Sequence, residues 1–303
     1  MLPFARITII GLGLIGSSVA RAVRKAMPTA RITAYDADPQ VRETVRALDL
    51  ADDVADTAGA SVIDADLVIL CVPVGAMGAV AAEFADDLPA EAIVSDVGSC
   101  KASVLAALSE ALPGATIIPA HPVAGTERSG PEAGFATLFQ KRWCIVTPPE
   151  GADALAVERV AEFWRRLGAD VEQMAPDHHD RVLAVTSHLP HLIAYTIVGT
   201  ASDLEEVTQS EVIKYSAGGF RDFTRIAASD PTMWRDVFLT NREAVLEMLQ
   251  RFSEDLSQLQ RAIRWGKGDE LFDLFSRTRA IRRSIIDQGQ DDAREDFGRS
   301  HEG

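Results

Sequence analysis

A chain of 303 residues has room for two domains that each bury most of their unfolded surface, and its 47% hydrophobic and 25% charged content is that of a packed globular protein. This excludes a disulfide-stapled miniprotein, a fibre and a chain disordered throughout. With 30 basic against 45 acidic residues the net charge is −15, which makes nucleic acid and membrane surfaces poor partners, although a few convergent arginines can still hold a small anion.

From residue 4 to about residue 147, short β-branched runs at 7–10, 31–35, 67–72, 92–95, 116–118 and 143–146 alternate with alanine-rich stretches at 14–27, 41–48, 77–84 and 101–108. That alternation predicts an α/β fold, an N-terminal Rossmann-type doubly wound parallel sheet with helices on both faces. Pro148-Pro149-Glu150-Gly151 punctuates the chain, and one more helix–strand unit follows at 153–167 and 169–173. Beyond Pro176 the pattern is helical at 178–201, 205–215, 231–265 and 270–287. The predicted organisation is an α/β domain over 1–175, an all-α domain over 176–290 and a polar tail over 291–303. The apolar periodicity of 237–259 exceeds what one small bundle needs and predicts a symmetric homodimer built by the helical half.

The longest near-apolar stretch, 67–82, is interrupted by Pro73, Gly75 and Gly78 and is too short to cross a bilayer. The N-terminus lacks the features of an export signal, and Cys71, Cys100 and Cys144 stand far apart without CxxC spacing, which suits a soluble protein of the reduced cytoplasm.

The chemistry-bearing residues fall at the ends of the predicted strands. Gly11-Leu12-Gly13-Leu14-Ile15-Gly16 follows RITII and opens a helix, so the glycines permit a tight turn and close approach to a pyrophosphate. Asp36, twenty residues beyond Gly16 at the end of the second strand, suits the ribose hydroxyls of NAD and repels the 2′-phosphate of NADP; otherwise it caps the next turn. Val72 and Pro73 end the next strand and are expected to border the cofactor. Ser99 is either the N-cap of the following helix or a hydroxyl facing the nicotinamide or substrate. His121 heads the polar loop HPVAGTERSG, where a side chain suited to taking a proton near neutral pH is expected to act. His188 and His191 lie three apart in SHLPH, and taken alone read as core or capping residues. HExxH is absent, and no metal is expected.

GLGLIGSS, SDVGSCK, HPVAGTERSG, SHLPH and GGFRDFTRIAASDPTMW, in that order, resemble the prephenate/arogenate (cyclohexadienyl) dehydrogenases of tyrosine biosynthesis over roughly residues 5 to 240. The resemblance implies a Rossmann domain followed by a helical dimerisation domain, and NAD(P)-dependent oxidative decarboxylation of a cyclohexadienol. It implies that His121 accepts the ring hydroxyl proton and that Ser99 orients the same region. Arg225 would clamp a substrate carboxylate within an ionic network with Glu127 and Asp222, and His191 and His188 would line the side-chain end. The chain starts at the dinucleotide strand and ends soon after the helical segments, so neither a fused chorismate mutase nor an ACT domain is expected. Cys100 replaces an aliphatic residue and puts a thiol near the site. The competing readings are another Rossmann-plus-helical reductase, such as a β-hydroxyacid dehydrogenase or pyrroline carboxylate reductase, and a non-catalytic NAD-sensing scaffold.

Overall fold

The structure, a computed structural model, describes residues 2–126, 128–203 and 218–287. Its contacts separate two compact units, Met1–Leu246 and Glu247–Gly303. The helix expected at 205–215 and the polar tail lie outside the described residues.

In the first unit β1 (Arg6–Ile10) leads into α1 (Leu14–Ala26), β2 (Arg31–Tyr35), α2 (Pro39–Ala47), β3 (Asp53–Val54), α3 (Ala58–Val62) and β4 (Leu67–Leu70). Next come α4 (Met77–Ala82), β5 (Ile93–Asp96), α5 (Ala102–Ala111) and β6 (Thr116–Ile117). The strands form one parallel sheet in the order β3-β2-β1-β4-β5-β6. Side chains alternate across it. Ile7, Ile9, Leu67 and Ile69 join one apolar cluster with Val19, Val23 and Trp164, while Ile10, Val68 and Leu70 join a second with Met77, Phe84 and Leu108. Both faces are covered, which explains why these strands read as continuous apolar runs. The order reverses between β1 and β4, and in open sheets of this kind ligands bind outside the strand ends at that point.

The sequence predicts strands at 143–146 and 169–173 as a continuation of this sheet, but the structure puts them in a second one. There β7 (Ala120–Pro122) pairs antiparallel with β8 (Trp143–Val146), which pairs in parallel with β9 (Asp170–Gln173), and α6 (Ala154–Arg166) connects the last two. Pro122 fits because β7 is an edge strand, where a missing N–H costs no ladder bond.

The helix expected over 178–201 divides into α7 (Pro176–Leu183), a π turn at Ala184–His188 and α8 (Leu189–Asp203). Proline at 190 lacks an N–H and crowds the carbonyl four residues back, and the wider turn just before it relieves that crowding. By length and composition alone Pro176–Asp203, with mean hydropathy 1.4, could cross a bilayer, so the longest apolar run is here and not at 67–82. Yet His179, Asp180 and His188 within it are hydrogen-bonded inside the first unit. After α9 (Gly218–Thr224), the single helix expected over 231–265 breaks into α10 (Pro231–Thr240) and α11 (Arg242–Arg264) at Asn241, whose side chain bonds back to α7 and the π turn.

The second unit holds the rest of α11 and α12 (Gly268–Asp287), joined through Gly266 at φ +63°. Among its described residues only Ala262 is buried, whereas Ile263, Trp265, Phe272, Phe275 and Ile281 are exposed.

Candidate active site

The β1–α1 turn is shaped for close backbone approach. Gly11 sits at φ +92°, and a Cβ there would lie 2.7 Å from the Cys71 carbonyl oxygen; a Cβ on Gly16 would lie 1.9 Å from the Gly11 carbonyl oxygen. A Cβ on Gly13 would meet nothing within 4 Å, so space is open where α1 begins at Leu14 and Ile15. No side chain caps that N-terminus, leaving its N–H groups for an anion. Asp36 accepts from Leu12 N–H at 2.7 Å and from Asp38 N–H at 3.0 Å. It braces the glycine turn, while Asp38 caps α2. The strand expected at 67–72 ends at Leu70, which leaves Val72 and Pro73 on the following turn with a Val72 methyl 2.9 Å from the Cβ position of Gly11. These residues fit a dinucleotide.

Below the next strand ends lies a buried polar cluster. Lys101 is fully buried; its ammonium pairs with Asp96 and donates to Ala120 O at 2.7 Å, one residue before His121. The N-terminus of α5 is capped by α7, because Asp180 accepts from Lys101 N–H at 2.8 Å and from Ala102 N–H at 3.0 Å. Ser99 is therefore not the cap; it sits half-buried two residues ahead of Lys101. His121, on β7 rather than after a strand, is buried, with Nδ1 2.9 Å from His179 Nε2, and His179 Nδ1 lies 2.8 Å from Asp180 Oδ1. Burial, reinforced by His179, Lys101 and His188, pushes His121 well below the usual histidine value and keeps it neutral. Burial also lowers His179, only partly offset by its bond to Asp180. For Asp180, burial acts to raise the carboxyl, but the bonds from His179, Ala102 and Lys101 outweigh it and hold the group ionised.

Sequence reasoning missed Lys101, His179, Asp180 and Asn241. A signal was present in Pro176-Asp177-His178-His179-Asp180, where adjacent histidines precede a carboxylate at a helix start. Helical periodicity absorbs such residues because it does not say which segment caps which.

His188 and His191 both lie against Trp234: His191 stacks at 3.6 Å between ring centroids, and His188 meets it edge-on at 6.0 Å. Asn241 donates to His188 Nδ1 at 3.1 Å, so the proton of neutral His188 is on Nε2, a buried donor with no partner among the described residues. His191 Nδ1 donates to Ser187 O at 2.8 Å, leaving its Nε2 an acceptor. Asp222, on α9, is half-buried, and Arg225, at the start of the next turn, is exposed. Tyr195 on α8 donates to Ser229 O at 2.7 Å and ties this turn to α8. Glu127 lies outside the described residues. Cys100 is buried, its thiol pushed up to about 11 chiefly by burial, and Thr240 bonds its sulfur at 3.2 Å; the thiol is packing rather than a reactive group. Among the described residues no group of three or more His, Cys, Asp or Glu is arranged to hold a metal ion.

Comparison with known proteins covers both halves of the chain. Residues 19–173 match the prephenate dehydrogenase nucleotide-binding domain and residues 175–277 the prephenate dehydrogenase dimerisation domain. A cyclohexadienyl dehydrogenase of Zymomonas mobilis is 46% identical over 94% of this chain and 97% of its own length. Prephenate dehydrogenase from A. aeolicus, solved with hydroxyphenyl propionate and NAD+, superposes with a TM-score of 0.87 at 32% identity over 94% of this chain and 98% of its own. An arogenate dehydrogenase of Synechocystis superposes with a TM-score of 0.79 at 25% identity over 92% and 99%. The reductase and scaffold readings are not favoured by these matches. The glycine turn open to close backbone approach, the buried neutral histidine on β7 and the matches along both halves together place this chain in the prephenate dehydrogenase family, as an NAD-dependent dehydrogenase.

Proposed function

We propose that the enzyme oxidatively decarboxylates both prephenate and arogenate, yielding 4-hydroxyphenylpyruvate or tyrosine. The observation that carries this reading is His121, a buried neutral imidazole whose Nε2 has no partner among the described residues. That nitrogen accepts the ring hydroxyl proton while the bond to the ring carboxylate breaks and carbon dioxide departs, and the ring becomes aromatic. Bound NAD supplies the acceptor for the hydride from the ring carbon. Gly11, Gly13, Leu14, Ile15 and Gly16 hold the pyrophosphate, Asp36 the ribose hydroxyls, and Val72 and Pro73 border the nucleotide. Ser99 orients the ring hydroxyl; Arg225, steadied by Asp222, clamps a carboxylate.

The two substrates differ in a keto or an ammonium group on the side chain. His191, half-buried, offers an acceptor that suits the ammonium, while His188 is buried behind it against Trp234. The 46% identity to a cyclohexadienyl dehydrogenase and the likeness to both a prephenate and an arogenate dehydrogenase support acceptance of both substrates.

The second unit's exposed Trp265, Phe272 and Phe275, and the match to a dimerisation domain, support a homodimer; a scattering mass of twice the 32.7 kDa chain tests it. Three free cysteines and a charge of −15 support a cytoplasmic enzyme of small-molecule substrates rather than a partner of nucleic acid or membrane.

The deciding assay follows NADH formation with each substrate. Activity with both, reduced about a hundredfold or more in kcat by His121→Asn with KM near normal, is expected. A normal turnover in His121→Asn removes His121 from the mechanism, and no NADH with either substrate overturns the reading.

A further inference from the structure

We infer that His179 and Asp180 are positioning residues for the base at 121, a two-step relay that holds the His121 proton on Nδ1 and leaves Nε2 bare. The inference rests on the reading of His121 as the base. It follows from donor and acceptor counting that starts at the main chain. The N–H groups of Lys101 and Ala102 can only donate, and both point at the Asp180 carboxylate. An ionised carboxylate can only accept, so the third group on it, His179 Nδ1 at 2.8 Å, carries a proton. A neutral His179 then has a bare Nε2, and the 2.9 Å contact between that nitrogen and His121 Nδ1 is a hydrogen bond only if His121 donates. One tautomer of His121 remains, with its lone pair on Nε2. The opposite tautomer would present an N–H to a hydroxyl that must lose its proton, and would set two bare nitrogens 2.9 Å apart behind it.

The surroundings agree with this assignment. Lys101 at the N-terminus of α5 and His188 in the π turn oppose a proton on His121, as does His179 itself. Asp180, and Asp96 at the end of β5, favour the proton that His179 keeps toward Asp180. Lys101 serves the device twice, because its main chain anchors Asp180 while its ammonium holds Ala120 O beside the base. The logic is that of a carboxylate orienting a catalytic imidazole, with a second imidazole inserted between them.

Two substitutions separate orientation from bulk. His179→Leu removes the acceptor, whereas His179→Gln places an amide oxygen where it can accept from His121 Nδ1. The leucine variant should lose roughly ten- to hundredfold in kcat with KM changed by no more than about twofold, and the glutamine variant should recover most of that loss. The direct readout is ¹⁵N NMR of the histidine rings in the NAD-saturated enzyme. His121 should be protonated on Nδ1 in the wild type and on a mixture of nitrogens in the leucine variant. Wild-type kcat in His179→Leu, or a wild-type His121 protonated on Nε2, overturns the relay, and the wild-type spectrum decides alone where the leucine variant does not fold. His121→Asn, assayed in parallel, keeps the two ideas apart: an impaired His121→Asn beside a fully active His179→Leu ends the relay and spares the base, whereas a fully active His121→Asn ends the base reading on which it rests.

Discussion

Asp36 is oriented before any nucleotide arrives, since Leu12 N–H and Asp38 N–H fix both its oxygens at the edge of the glycine turn. A carboxylate held there receives ribose hydroxyls without reorganisation and meets a 2′-phosphate with like charge. Asp36→Ser should lower kcat/KM for NAD by a factor corresponding to roughly 1.5–3 kcal/mol, the usual scale for bonds to a charged group, and should narrow the gap to NADP. Steady-state constants with both nucleotides check this, and a wild-type enzyme more efficient with NADP contradicts it. The place of Asp36 beside the glycine turn was legible because it depends on a spacing along the chain. Lys101 was not, because its partners Asp96, Ala120 and Asp180 come from three different segments.

Gly13 at the β1–α1 turn and Gly16 in the first turn of α1 have different physical reasons for lacking a side chain. At Gly16 the space is already filled by the chain, with the Gly11 carbonyl oxygen 1.9 Å from a Cβ; at Gly13 the space is open and the obstruction would be to a ligand. Gly13→Ala should therefore keep a wild-type melting temperature and lose NAD affinity by roughly tenfold or more, whereas Gly16→Ala should lower the melting temperature itself. Calorimetry with and without NAD separates the two, and equal melting losses contradict the distinction. The glycine turn and the parallel strands were legible because local sterics dictate the turn and strands buried on both faces read as continuous apolar runs. The π turn at Ala184–His188 and the break at Asn241 were not. Pro190 marked a disturbance without saying whether the helix would end, bend or widen, and the bonds from Asn241 to Asp180 O and His188 Nδ1 have no sequence signature.

Across the whole molecule the buried histidines tie stability to pH. His121, His179, His188 and His191 all bind a proton more weakly in the folded chain than in the unfolded one, in each case chiefly through burial. The stability they contribute is complete above about pH 6.5 and declines as the pH falls from there toward the folded-state values, about 4 for His188. For His188 alone that interval corresponds to roughly 3 kcal/mol. Melting temperature should fall between pH 7 and pH 5, before the carboxylates of Asp52, Asp66 and Asp180, which are held below their ordinary range, begin to protonate. A melting temperature constant across that range contradicts the assignment of neutral buried rings. The sequence by itself determined the parallel α/β half followed by helices and the glycine turn with its acidic partner, since each is written in spacing or periodicity over a few dozen residues, while the motifs carrying His121, His188, His191 and Arg225 were legible through the resemblance. Only the tertiary structure decided that β8 belongs to a second sheet, that α7 caps α5, and that His121, His179 and Asp180 form one chain of hydrogen bonds. The bonds of α7 to α5 and of His121 to His179 join residues 58 to 79 positions apart, and at that separation the partner is chosen by packing and by the need to satisfy buried polar groups, which no local pattern encodes.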